Sequence, residues 1–289
     1  MDKTESKKEE VIKELGEWFA RPNCKNFYYE EPIETVRNNL SEIKLKKSTW
    51  LGFDQLENWY KNNFIYKGLV ENDVTDQQPM AINGYSIVEL TSILAKQFPN
   101  NPPSLPLHRM AGYLSTVVIQ KWYQEAGKML ELILEGLDTK FLKGGQNFDT
   151  SGWFTISVAC KAFDSALATE KHNYPKEMGV YQLVIDKWNT QDETEIDRMV
   201  SELCDYHLEQ ADIDERESYE FSFINEFVYA FEVLSWLSLR KMSGLTNPKT
   251  LNHPLMRLPI NQLPKTTIPF KKTELYDQVL AKVKEEFKG

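Results

Sequence analysis

Apolar side chains recur every three or four residues along most of this chain, the spacing that lines one face of an α-helix. Val11, Leu15, Trp18 and Phe19 form the first such stripe. Ile33, Val36, Leu40 and Ile43 form the second, behind Pro32, which is suited to a first helical turn. Trp50, Phe53, Leu56, Tyr60 and Phe64 form the third. A polar stretch from Glu71 to Asn83 has no clear period, and Gly84 to Phe98 predicts the next helix. The run Pro99-Asn100-Asn101-Pro102-Pro103 stops it, because proline has no N–H for the helical ladder and restricts its predecessor.

Leu107 to Leu137 predicts one long, mostly helical stretch. Lys143-Gly144-Gly145-Gln146-Asn147 resists regular structure and divides an N-terminal helical region, 1–143, from a C-terminal one, 150–289. The two are read either as separate or as one continuous domain. Thr150 or Ser151 is placed to cap a helix running to Leu167, and a shorter helix is expected over Met178–Trp188. Asp192 and Glu195 are spaced like a capping box, with Ile196, Val200, Leu203 and His207 facing inward from a helix that ends near Ala211. Ser222–Met242 is apolar around most of its circumference and predicts a central buried helix, closed by Ser243-Gly244.

Five prolines (Pro248, Pro254, Pro259, Pro264 and Pro269) alternate with Leu255, Met256, Leu258, Ile260 and Leu263. That pattern predicts an extended arm packed on the helices, since a solvated linker has no need of apolar groups. Leu275, Val279, Val283 and Phe287 predict a last helix. No hairpin signal and no fixed repeat is present. The expected fold is all-α: an irregular multi-helix bundle, or an αα-stacked array, of about ten helices with an extended Pro-rich arm before the last one.

Composition narrows the chemistry. The 289 residues carry three distant cysteines, Cys24, Cys160 and Cys204, read as reduced, buried thiols. The charged N-terminus predicts neither a secretory signal nor a lipid anchor, and no apolar run has membrane-spanning length, so a cytoplasmic location is expected. Phosphate-loop, dinucleotide-binding, nucleophile-elbow and zinc-protease motifs are all missing, so no cofactor and no metal is expected. The net charge of −9, without a dense basic cluster, argues against nucleic acid as a partner.

That charge is concentrated. Between Asp192 and Glu220 lie twelve acids and two bases, so the rest of the chain is nearly neutral. Glu195, Glu202, Asp205 and Glu209 step by seven, three and four residues and therefore share a helix face. With Asp192, Asp212, Asp214, Glu215 and Glu217 they form a candidate docking surface for a basic protein. The bland reading of the same pattern is a face kept acidic for solubility.

Three further residues are weighed as chemistry. His207 falls on the apolar face and reads as a satisfied core histidine more readily than as an acid–base group. Glu226 and Glu232 sit in the apolar 222–242 segment. Either they mark a carboxylate-based site, or they belong to a narrow exposed edge with Asn225, Tyr229 and Arg240, the reading preferred here.

The segment Trp153-Phe154-Thr155-Ile156-Ser157-Val158-Ala159 and the run Tyr229-Ala230-Phe231-Glu232-Val233-Leu234-Ser235-Trp236-Leu237, followed by Gly244 and His253-Pro254-Leu255, complete the picture. With these, the C-terminal half resembles the helical immunity proteins of bacterial polymorphic toxins, including those that neutralise PoNe-type nucleases. The resemblance implies an antidote that binds a secreted toxin domain tightly and does no chemistry itself. A nuclease's basic groove would suit the acidic face. The alternatives are a helical enzyme built on Glu226, Glu232 and His207, or a helical-repeat scaffold that binds a peptide.

Overall fold

The computed structural model describes residues 2–137, 139–143, 150–214 and 218–287. Among these, the chain forms eleven α-helices. The N-terminal region contributes α1 (Lys3–Phe19), α2 (Glu31–Ser41), α3 (Trp50–Val70), α4 (Gln77–Gln97), α5 (Leu107–Ile119) and α6 (Tyr123–Gly136). The C-terminal region contributes α7 (Thr150–Ala162), α8 (Val180–Asp186), α9 (Glu193–Glu209), α10 (Phe231–Met242) and α11 (Glu274–Glu286). Extended structure is limited to a two-residue parallel pairing of Leu105–Pro106 with Leu142–Lys143 and an isolated bridge between Ala211 and Phe221. The all-α expectation therefore holds. Among the described residues no helix is long and apolar enough to cross a membrane.

The hub is α5. It packs on α4 and α6 from its own half of the chain and on α7 and α10 from the other. Its buried run from Met110 to Ile119, broken only by Gly112, meets α10, where every residue from Phe231 to Arg240 is buried. One hydrophobic core thus takes side chains from both regions. The Gly144–Asn147 joint lies outside the described residues.

Element boundaries differ from the pattern-based reading at several places: α2 stops before Ile43, which is 94% exposed, α7 ends at Ala162 rather than Leu167, and three differences are larger. The long 107–137 helix is two helices. Lys121 adopts a left-handed backbone (φ 62°), and the N–H groups of Lys121 and Trp122 turn back to the carbonyls of Val118 and Val117. This is the hydrogen-bond arrangement of a Schellman end. The apolar period runs through the break, so the pattern carries no sign of it. The arm then locks the corner, with Lys121 Nζ on Pro264 O and Trp122 Nε1 on Ile268 O, both at 2.6 Å.

The helix expected from Gly84 begins at Gln77 instead. Its first turns bury polar groups that find partners inside the fold, one across to the end of α5 and one within the helix. Gln77 accepts from Gln120 at 2.8 Å, and Asn83 donates to Pro79 O at 2.8 Å, so the buried face shows no apolar period.

The 222–242 segment is helical only from Phe231. Asn261, on the arm, accepts from the Ala230 N–H at 3.1 Å and donates to Val228 O at 2.8 Å. A side chain twenty-five residues downstream of Trp236 thus takes the backbone groups that a longer helix would pair. Phe223, within the segment expected to be buried, is 51% exposed.

The arm behaves as predicted. Two 3₁₀ turns, Pro254–Arg257 and Pro259–Asn261, press Leu255 and Ile260 into the core. Ile260 lies over Gly68 of α3, where an added Cβ would fall 2.4 Å from its Cγ2. The arm seats at this close approach because glycine leaves the space.

Asp192 caps α9, accepting from the N–H groups of Thr194 (2.9 Å) and Glu195 (3.2 Å). The reciprocal half of the box does not form, because Glu195 turns to Lys187 and Thr190. Asp192→Ala is therefore expected to cost about 1 kcal/mol. Urea denaturation followed by circular dichroism checks it, and an unchanged midpoint rejects the cap as a stabilising contact.

Candidate functional site

Two places in this fold concentrate charged chemistry. The first is the outer flank of α9. Glu202, Asp205 and Glu209 lie there with side chains 45, 71 and 64% exposed. Each touches a single basic partner: Arg198 at 2.5 Å, His253 at 3.2 Å and Lys3 at 3.9 Å, respectively. The remaining sequence-predicted acids divide by role. Asp192 is spent on the helix cap. Glu195 is tied to Lys187 at 2.5 Å, which with the Thr190 hydroxyl holds its carboxyl below the ordinary value. Asp212 meets Lys7 at 3.6 Å and turns back on the N–H groups of Ile213 and Asp214, so Asp214 joins a local turn.

Glu215 and Glu217 lie outside the described residues. Over 192–209, among the described residues, seven carboxylates meet three lysine and arginine side chains, Lys3, Lys187 and Arg198. Acid therefore remains in excess along the strip; Asp192 and Glu193 are exposed at the start of α9, and Glu202, Asp205 and Glu209 are exposed along its flank. Glu220, in contrast, is structural. Its carboxylate accepts from the Thr150 hydroxyl, the Ser151 N–H (2.8 Å) and the Tyr206 hydroxyl (2.7 Å), and so satisfies the start of α7.

The exposed edge expected for Asn225, Glu226, Tyr229, Glu232 and Arg240 does not exist, because all five are buried. Glu226, Glu232 and Arg240 have interior partners instead, while Asn225 Oδ1, the Tyr229 hydroxyl and Glu232 Oε2 receive none among the described residues. Glu226 accepts from Lys61 at 2.6 Å. Arg240 points its guanidinium at the carbonyls of Trp188, Thr190 and Thr246 and at Asn247 Oδ1, all within 2.9 Å. Glu232 pairs with His207 Nδ1 at 2.8 Å, and both side chains are 0% exposed.

His207 Nε2 lies 2.8 Å from the backbone oxygen of Glu226, and Phe221 stacks on its ring. Burial pulls the imidazole pKa down. The charge and hydrogen bond of Glu232, with the Glu226 carbonyl, outweigh that and hold it above the ordinary histidine value. His207 is thus a satisfied core histidine. Neither it nor Glu232 reaches solvent, which leaves the carboxylate-enzyme reading only Glu226.

The second place is a cavity of about 250 Å³ between α3, α5 and the 223–230 segment. Glu226 opens onto it, together with Asp54, Glu57 and Lys61 of α3 and Arg109 and Tyr113 of α5. Arg109 binds Asp54, which also accepts from the Tyr113 hydroxyl at 2.9 Å. Glu57 is the odd member. It is 5% exposed, and among the described residues no group donates a hydrogen bond to it. Burial pushes its carboxyl up to about 7, against the opposing pull of Lys61 and Arg109.

Sequence reasoning missed Glu57, although a signal was there. It stands four residues after Phe53 on the inward stripe of α3. Lys61, four further on, makes it look like one half of a surface i,i+4 pair. In the fold Lys61 turns to Glu226 instead.

Other chemistry is sparse. The three cysteines are free and buried, and burial raises all three thiols, Cys160 to about 12, so none is activated as a nucleophile. Among the described residues no group of three His, Cys, Asp or Glu side chains is placed to hold a metal. Comparison of this chain with protein-family models, with curated proteins and with solved structures finds no match.

Proposed function

We propose that this chain is a binding protein that neutralises a secreted bacterial toxin by forming a tight one-to-one complex, with the outer flank of α9 meeting a basic surface on that toxin. The observation that carries the reading is the row Glu202, Asp205 and Glu209, exposed on one helix flank within a strip where acid outnumbers its paired cations. Such a row gains the fold little stability, since its ion pairs are exposed and its neighbouring like charges repel. It is useful to a partner, because complementary charge raises the association rate and rejects wrong partners.

The likeness to helical immunity proteins supplies the partner class. Of its residues, Trp153–Ala159, Tyr229–Leu237 and Leu255 are core residues and speak to architecture, while Gly244 and Pro254 are exposed and His253 meets Asp205 of the acidic row. The enzyme alternative is weaker because His207 and Glu232 are sealed from any substrate.

The test pairs this chain with the product of the gene beside its own. Co-expression is expected to relieve that protein's toxicity, and the two are expected to purify as a one-to-one complex. The triple change Glu202→Lys, Asp205→Lys and Glu209→Lys is expected to slow association about tenfold or more at physiological salt. The helical circular dichroism should remain unchanged. Wild-type association kinetics in the mutant place the contact elsewhere, and a neighbour that is neither toxic nor bound overturns the function itself.

A further inference from the structure

We propose that the cavity between α3, α5 and the 223–230 segment is a receptor for a guanidinium group, with Glu57 as its counter-ion and Asn225 as a second acceptor. The inference is independent of the acidic flank of α9.

The charge balance of the cavity singles out Glu57. Three carboxylates line it, and two of them have their own cation, Asp54 with Arg109 and Glu226 with Lys61 at 2.6 Å. Glu57 has none in contact, is 5% exposed and faces the open space. Asn225 is also on the wall. Its amide nitrogen is committed to the side-chain oxygens of Asn58 (3.0 Å) and Asn62 (2.7 Å), while its buried Oδ1 receives no hydrogen bond. The cavity therefore offers unused acceptors and one uncompensated acid, which asks for a ligand that donates and carries positive charge.

The walls favour guanidinium over ammonium. Tyr28, Tyr113, Tyr229 and Phe231 line it, and aromatic walls suit a planar cation, which can stack on a ring. The guanidinium fork also carries several donors in one plane, enough for a carboxylate and an amide oxygen together. A volume of about 250 Å³ holds such a group on a short alkyl stem. An anion is disfavoured, because Lys61 and Arg109 are already paired and Glu57 would oppose it.

Binding must be linked to a proton. Glu57 takes up a proton near pH 7 in the empty cavity, and a guanidinium needs it ionised. The charged and titratable groups around it are Asp54 and Lys61 on its own helix, His108, Arg109 and Tyr113 on α5, Glu226 and Tyr229 on the 223–230 segment, and Tyr28. Asp54 is paired with Arg109 and Glu226 with Lys61, so among the described residues Glu57 is the carboxylate of the cavity without a cation in contact, and Glu57→Gln is the variant that assigns the titration to it.

The experiment is calorimetric and NMR titration of the full chain with ethylguanidine and with N-acetyl-arginine amide. One-to-one saturation is expected for at least one probe. Affinity should fall about tenfold per pH unit below 7 and level off above it. Glu57→Gln is expected to weaken binding at least tenfold and to remove the pH dependence; its fold is checked by circular dichroism. If that variant does not fold, Asn225→Ala takes its place and is expected to weaken binding several-fold while keeping the pH dependence; full affinity in it overturns the assignment. Tighter binding of the arginine amide points to an arginine on a protein partner, and equal or tighter binding of ethylguanidine points to a free guanidino compound. No saturation by either probe at about 10 mM, pH-independent binding, or full affinity in Glu57→Gln overturns the assignment.

Discussion

His207→Leu is expected to destabilise the fold by about 3–5 kcal/mol, the usual cost of removing one partner from a buried ion pair. Glu232 is fully enclosed, its Oε2 has no hydrogen-bond partner, and His207 Nδ1 at 2.8 Å is the cation that meets its Oε1. Leucine fills comparable space but leaves that carboxylate alone in the core. It also strips a hydrogen bond from the Glu226 carbonyl.

The double variant His207→Leu with Glu232→Leu is expected to recover most of the loss. Deleting both charges removes the desolvation penalty together with the attraction, and such replacements are commonly neutral or stabilising. Urea unfolding of the two variants separates this account from simple misfit. A single variant within about 1 kcal/mol of wild type, or a double variant no better than the single, rejects it. The pair also sets a pH trend. Because the folded imidazole pKa is raised, the stability it contributes is complete below the ordinary histidine value and is lost as pH rises through the folded one.

This pair shows how far the chain could be read from its pattern. The inward placement of His207 followed from helical spacing alone, because Ile196, Val200 and Leu203 share its face and all are buried. Its partner did not follow, because Glu232 belongs to another helix and pairing across helices leaves no mark in local spacing. The same limit explains Arg240, which is held by backbone carbonyls that no sequence pattern displays.

Helix positions were legible from apolar burial in α3, α9 and α11. They failed where the apolar period ran through a turn, at Lys121, where polar side chains were buried, at Gln77 and Asn83, or where a distant side chain captured the backbone, as Asn261 does near Ala230. The acidic strip could be located by counting. Its accessible part could not, because Lys3, Lys7 and Lys187 reach it from outside the segment.

Glu57→Gln is expected to stabilise the protein by about 3 kcal/mol above pH 8, although it alters a buried side chain of the cavity wall. The reasoning is linkage. Glu57 is pushed up to about 7 in the fold, mainly by burial, and returns to the ordinary value of 4.5 when the chain unfolds. Below pH 4.5 the group is protonated in both states and contributes nothing. Between 4.5 and 7 the unfolded state loses its proton first, so stability falls with rising pH. Above 7 the penalty is complete, at about 1.4 kcal/mol for each unit of displacement.

Glutamine keeps the shape and cannot ionise, so the gain should grow from about zero at pH 4 to its full value near pH 8. Unfolding free energies of both proteins across that range measure it directly. A constant difference across the range, or a variant less stable at pH 8, refutes the burial of an ionising carboxyl. A group kept at this cost in the native chain, where a glutamine would be more stable, is the signature of a residue retained for binding rather than for folding.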